Sequence, residues 1–250
     1  CLRGLVGSEM FIRDSAMVEN HDGTYRLRKA VDGTKDQSYV LHMLDQTALS
    51  RVRLPVGDMT KVEVRKKAAQ LGFRTAHKPD SQDICFVTSG DYRDFIRQRH
   101  PEVDAPGKVL DANGVVVGRH PGTAGFTIGQ RKGLGVAVGE ARYVVDITPS
   151  EQTITIGTLD DLLTSTCTAK DMSWTNEPAR AGDRVGVKVR YRSEPVLATV
   201  TGASDTVTVE FDTPLARPAP GQAMVLYDGE YVLGGGTIQT PDTGHQTPAS

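Results

Sequence analysis

The apolar positions of this chain change period partway along it. In the first hundred residues they recur at helical spacing. Thr60 and Glu63 form a capping box ahead of Val64, Ala68 and Leu71, which share one helical face, and Gly72 supplies the stop. Residues 38–44 repeat their apolar positions in the same way, residues 24–27 form a short strand-like piece, and residues 90–99 predict another short helix with Tyr92, Phe95 and Ile96 turned inward. Two helices about a short connection suit the end of an α/β domain.

Beyond Pro106 the pattern becomes alternation, rich in Gly, Val and Thr, which predicts short antiparallel strands and turns. Segments 143–147, 153–156, 185–191, 196–200 and 206–211 recur at the spacing of a small barrel. Pro218 and Pro220 interrupt the run, and segments 223–227 and 231–236 then predict a closing hairpin across Asp228 and Gly229. After Thr240 the tail of Thr, Pro, Gly and Ser predicts disorder. Residues 1–14 carry no pattern that continues into the adjoining segment and are taken as a non-native leader. With no initiating methionine, the chain is expected to be the back part of something longer.

Composition narrows the class without naming a function. The 250 residues carry 24% charged side chains and a formal net charge of −2, and no stretch approaches the roughly 18 apolar residues a membrane span needs. Cys1, Cys85 and Cys167 are an odd set without metal-ligand spacing. That argues against a disulfide framework and a zinc site, and for a reducing cytoplasm. The near-neutral total hides two basic stretches. Residues 180–195 hold five basic side chains (Arg180, Arg184, Lys188, Arg190, Arg192) against Asp183 and Glu194, and residues 119–142 hold Arg119, Arg131, Lys132 and Arg142 against Glu140. Such patches suit phosphate, and equally a solvated face balanced by the acidic residues between Asp205 and Glu230.

Candidate chemistry centres on Cys85, set among Asp80, Ser81, Gln82 and Asp83 with His77 and Lys78 nearby. A thiolate is the reactive form, and a free thiol near pKa ~8.5 needs a cation, a helix start or a base to populate it. Ile84 and Phe86 allow the other reading, a small buried hydrophobe. Residues 129–135, Gly-Gln-Arg-Lys-Gly-Leu-Gly, have glycines that let backbone amides approach phosphate, and Arg131 and Lys132 add charge. The loop lacks a Ser or Thr after the lysine and a third glycine at dinucleotide spacing, so it is no nucleotide loop.

Taken in order, Lys35-Asp36-Gln37-Ser38-Tyr39, Pro55-Val56-Gly57-Asp58, Asp80-Ser81-Gln82 with Ile84-Cys85-Phe86, the 127–135 run, Arg190-Tyr191, Pro220-Gly221-Gln222 and Leu233-Gly234-Gly235-Gly236 resemble the tRNA-specific 2-thiouridylases. The resemblance spans about residues 16 to 238. It implies an α/β plus β fold: a C-terminal remnant of a PP-loop α/β domain (adenine nucleotide alpha hydrolase-like) over 15–85, a small central domain with the basic loop over 86–147, and an antiparallel β-barrel over 148–240. It implies ATP-dependent adenylation of the uracil 2-oxygen of the tRNA wobble position, followed by sulfur transfer from a cysteine persulfide on Cys85 and a transient disulfide with a second cysteine. It places Lys35, Asp36, Gln37, Arg190, Tyr191 and Gln222 against tRNA, with Arg131 and Lys132 as further candidates.

ATP with Mg, a sulfur-donor relay protein and tRNA are the implied cofactor and partners. The PP-loop and the second cysteine match nothing in this sequence, so the chain alone is expected to be inactive; neither Cys1 nor Cys167 takes the second role. Asp83 stands where the family often has glycine, and Val40 where an aromatic is common. Two other classes compete: a non-catalytic RNA-binding module in which Cys85 only packs, and a thiol redox protein.

Overall fold

The computed structural model describes residues 15–77, 105–136 and 140–240. In chain order the elements are β1 (Ala16–His21), β2 (Thr24–Lys29), α1 (Gln46–Arg51), α2 (Lys61–Gln70), β3 (Gly107–Leu110), β4 (Val116–His120), β5 (Tyr143–Thr148), β6 (Thr153–Gly157), α3 (Leu159–Leu162), β7 (Leu163–Trp174), β8 (Arg184–Lys188), β9 (Val196–Ala203), β10 (Thr206–Ala216), β11 (Ala223–Asp228) and β12 (Tyr231–Ile238). They divide into two compact units. The first joins residues 1–80 to 166–213 and 220–250, and the second holds 81–165 with 214–219.

In the first unit β7, β12, β11, β8, β9 and β10 pair in that order, and β10 returns to β7, closing a six-stranded barrel. Closure removes the exposed edges that an open sheet would leave for aggregation. Val185 and Val187 alternate with Gly186 and Lys188 along β8, and these two valines and Val189 are almost wholly buried, while Lys188 on the other side is itself largely covered. The β11–β12 hairpin turns across Asp228 and Gly229 as its sequence predicts, with Asp228 opposite Tyr231 and Gly229 at φ 56°.

The piece predicted at 24–27 is one arm of a hairpin whose other arm, β1, the alternation did not reveal. Asp22 and Gly23 both adopt positive φ, the conformation that matches the twist of a two-residue hairpin. This hairpin adds to the barrel sheet through Arg28 opposite Tyr231. A core of Ala16, Leu27, Tyr39 and Leu49 then packs on Val225, Tyr227 and Val232. The first segment and the barrel therefore share a core.

Helix α2 has the expected reciprocal cap: the Thr60 hydroxyl accepts from the Glu63 amide, and the Glu63 carboxylate accepts from the Thr60 amide at 2.7 Å. It ends in a Schellman motif, Phe73 N–H to Ala68 carbonyl and Gly72 N–H to Ala69 carbonyl, with Gly72 at φ 73°. Val64 and Ala68 are buried, but Leu71 is 62% exposed, which corrects its assignment to the same face: it sits past the last helical turn. The predicted helix over 38–44 is a single 3-10 turn, Ser38–Leu41. The Val40 amide returns to the Gln37 carbonyl and the Leu44 amide to the Leu41 carbonyl, the short i→i+3 bonds of 3-10 geometry, which does not usually propagate.

The second unit holds a four-stranded sheet in the order β4-β3-β6-β5, with β3 parallel to β6. Strands β5 and β6, which the alternation counted with the barrel run, belong to this sheet by pairing. Val109, Leu134, Val144, Ile154 and Ile156 form its core. The predicted helix over 90–99 and the tail beyond 240 lie outside the described residues.

Candidate functional site

Asp36 organises the site although its carboxylate does not face solvent. It is 7% exposed and accepts from the Ala30 amide at 3.0 Å, the Ser38 amide at 3.2 Å and the Ser38 hydroxyl at 2.7 Å. The Tyr227 hydroxyl lies 3.2 Å from that of Ser38, whose proton is already committed to Asp36, so Tyr227 donates and a chain Tyr227–Ser38–Asp36 forms. Burial pushes the Tyr227 phenol well above its ordinary pKa and keeps that donor protonated. Earlier in the same segment, Asp32 caps the Gly33–Lys35 turn and also accepts from the Lys61 amide at 3.0 Å. The hydroxyl of Thr34, then the Lys61 amide, hold the Asp32 carboxyl below its usual range. The backbone around Lys35 and Gln37 is thus pinned from both ends.

Gln37 reaches across to the barrel and donates through Nε2 to the Tyr191 hydroxyl, a residue 154 positions away. Because that hydroxyl oxygen accepts, its own proton is left to donate outward. Tyr191 is 41% exposed, and its ring lies 6.2 Å from that of Tyr39 at 59°. Tyr39 is buried, which raises its phenol pKa, and donates to the Ala223 carbonyl at 2.8 Å. Gln222, next to Ala223, is exposed, and its carbonyl accepts from the Ile238 amide. Behind Tyr39, the His42 ring accompanies it at 6.5 Å and occupies the space over Gly235, where any Cβ would come within 2.7 Å of the imidazole. This close approach explains one glycine of the Gly234–Gly236 run.

Gln37, Tyr191 and the segment of Gln222 are therefore gathered about Tyr39 in one unit, and Lys35 closes the Gly33–Lys35 turn on the other side of the buried Asp36. Arg190 is exposed at the turn after β8, where the Ser193 amide and hydroxyl both return to its carbonyl, at 3.1 and 2.9 Å. The assembly offers a phenol, an amide, cationic groups and a partly open aromatic face, the inventory that binds phosphate and stacks on bases. Sequence reasoning did not single out Ser38, Tyr39 and His42 individually; only their packing marks them.

Arg131 and Lys132 lie in the second unit. Gln130 bridges their loop, accepting from the Thr127 amide at 3.1 Å and donating to the Lys132 carbonyl at 2.9 Å, while Gly129 and Gly133 take φ of 85° and 75°. Leu134 anchors the loop in the core of that unit. Lys132 is exposed, as is Arg131.

Cys85 and Lys78, with the rest of residues 78–104, lie outside the described residues, as does Cys1. Cys167 is buried in β7, and burial pushes its thiol up to about 12, so it holds no thiolate near neutrality. Among the described residues no cluster of His, Cys, Asp and Glu is arranged to hold a metal ion, and no helix is long and apolar enough to cross a membrane. In the loop of residues 129–135 Gln130 spends its amide within the loop, and Gly133 follows Lys132 where a nucleotide-phosphate loop carries a hydroxyl residue.

Three family models match successive parts of the chain: a tRNA methyl transferase HUP domain over residues 9–89, a tRNA methyl transferase PRC-barrel domain over 93–158 and an aminomethyltransferase beta-barrel domain over 164–238. The tRNA-specific 2-thiouridylase MnmA of Rhodopirellula baltica is 44% identical over 230 residues, covering 89% of this chain and 58% of that protein. Its namesake from Chloroflexus aurantiacus is 43% identical over 228 residues, covering 90% and 64%, and that from Moorella thermoacetica 43% over 226 residues, covering 89% and 63%. The chain thus spans about six-tenths of the length of these relatives. The order of matched domains agrees with the expected succession of α/β, central and β-barrel parts.

Proposed function

This chain belongs to the tRNA-specific 2-thiouridylase family, and on that premise we propose that it works in the 2-thiolation of the wobble uridine of tRNA. ATP, as co-substrate, converts the uracil 2-oxygen into a leaving group. Cys85 carries the sulfur: the terminal sulfur of its persulfide forms the new bond to C2 as AMP departs with the oxygen. A second cysteine thiolate then attacks the Cys85 sulfur, which breaks the S–S bond, leaves the thiocarbonyl on the base and yields a disulfide that a later thiol reductant must open. No group of this chain is assigned to the nucleotide or its Mg, so the 250 residues by themselves are expected not to turn over. A sulfur-relay protein loads Cys85, and the work is done in the cytoplasm.

In this reading the segment from Lys35 to Gln37 and the barrel bind and orient tRNA. The observation that carries it is the bond from Gln37 to Tyr191, which unites the two motifs at the head of the chain and in the barrel on one surface. Lys35, Arg190 and Gln222 supply the remaining polar contacts, and Asp36 acts by holding Lys35 and Gln37 in place.

The test uses the protein carrying this chain, a tRNA transcript, ATP and a persulfide donor, with 2-thiouridine read by mass spectrometry. Cys85→Ser should abolish the product while leaving tRNA affinity within about threefold, since a tenfold change needs ~1.4 kcal/mol. Product formation by the serine variant would make Cys85 a packing residue and leave the chain an RNA-binding module.

A further inference from the structure

Lys188 closes β8, two positions before Arg190, and is paired opposite Val225 of β11. It is only 9% exposed. Its surroundings belong to the apolar layer of Val225, Tyr227 and Tyr39, a position where an aliphatic side chain would pack at no electrostatic cost. Taking an ammonium out of water is expensive, and proteins ordinarily offset that with a carboxylate or several carbonyls. Lys188 has neither. Among the described residues its ammonium makes no hydrogen bond and no ion pair; it faces two rings, Tyr39 at 5.7 Å and Tyr191 at 6.0 Å.

Cation–π contacts at that range are weak beside the cost of taking an ammonium out of water. The ammonium escapes the full cost because it is not sealed: among the described residues the buried side-chain atoms without a partner are Arg28 Nε and His120 Nδ1, so the Lys188 tip still reaches the surface. The neighbouring Tyr191 ring is 41% exposed, and its hydroxyl has a proton to donate because Gln37 occupies its lone pair. An ammonium and a phenolic donor on neighbouring side chains, with aromatic rings about them and the carboxylate of Asp36 spent on Ala30 and Ser38, offer the groups that bind an anionic oxygen.

We propose that Lys188, with the Tyr191 hydroxyl, holds one backbone phosphate of the bound RNA, and that its charge is kept in this apolar setting for that contact. The proposal rests on the RNA-binding reading above. A lysine kept only for packing predicts something else: removal of the charge would then alter stability and leave the salt dependence of binding untouched.

Lys188→Met separates the two, because methionine retains the stem and removes the charge. Binding of a tRNA transcript by the whole chain is measured across a salt series, with thermal unfolding of the same samples. Removing one phosphate-neutralising charge lowers the magnitude of the salt slope by about 0.7–0.9, which at 0.1 M salt corresponds to roughly sixfold weaker binding. The melting temperature should stay level or rise, since an unpaired buried charge has been removed. Lys188→Arg should keep the slope, and Lys188→Gln should reduce it as methionine does; these two decide the matter if K188M does not fold. An unchanged slope in K188M or K188Q, alongside weakened binding by Arg190→Ala, overturns the Lys188 contact and leaves the RNA-binding face standing. Unchanged binding in all of these variants overturns that face itself, and the Lys188 contact with it.

Discussion

Replacing Asp36 should do more damage than replacing any exposed member of the site. Its carboxylate satisfies the amides of Ala30 and Ser38, both buried, and the Ser38 hydroxyl. Asp36→Ala strands two buried N–H groups, each costing about 1–3 kcal/mol, whereas the Ser38 hydroxyl retains Tyr227 as a partner. The destabilisation should therefore come to about 4 kcal/mol, a large part of the roughly 5–15 kcal/mol by which such domains are stable. Asp36→Asn keeps a carbonyl oxygen for the two amides and can turn its NH2 toward the Ser38 oxygen, so about 1 kcal/mol is expected. Trp174 lies in β7 of the barrel and is the sole tryptophan of the chain, which makes urea unfolding followed by its fluorescence a report on this unit. Asp36→Asn should keep tRNA affinity within about threefold, while Asp36→Ala, in the fraction that folds, should weaken it as Lys35 and Gln37 lose their anchor. A cost under about 1 kcal/mol for the alanine variant would refute the carboxylate's organising role.

Two further outcomes are expected from the geometry. Cys167 keeps its proton in the folded state up to about pH 12, against an unfolded thiol near 9. The native state then binds more protons between those values, so its contribution to stability is intact below about pH 9 and falls as pH rises toward about 12, at up to ~1.4 kcal/mol per pH unit; Cys167→Ala should flatten that alkaline decline in a pH series of urea midpoints. Arg131→Ala with Lys132→Ala should lower the magnitude of the tRNA salt slope by about 0.7–0.9 for each phosphate no longer neutralised, independently of the decrease caused by Arg190→Ala, and no change in the double variant would return both cations to solvated surface.

Local chemistry was legible in the sequence wherever one segment could settle its own hydrogen bonds. The Thr60–Glu63 cap, the glycine stop at Gly72 and the Asp228–Gly229 turn are satisfied within a few residues, and they stand where the pattern puts them. The motifs from Lys35 to Leu233 likewise carried the family from the residues themselves. Alternation, however, records which side of a strand is apolar and not which strand lies beside it. That is why β5 and β6, which pair with each other and through β6 with β3, counted with the barrel run, and why β1, whose Glu19 is met by Arg28 and Tyr231, escaped notice. Only tertiary packing could bring Gln37 to Tyr191 across 154 residues, bury Asp36 under the segment it supports, and set the Lys188 ammonium between two rings. Those arrangements depend on long-range contacts, whose energies act through space and leave no period in the chain.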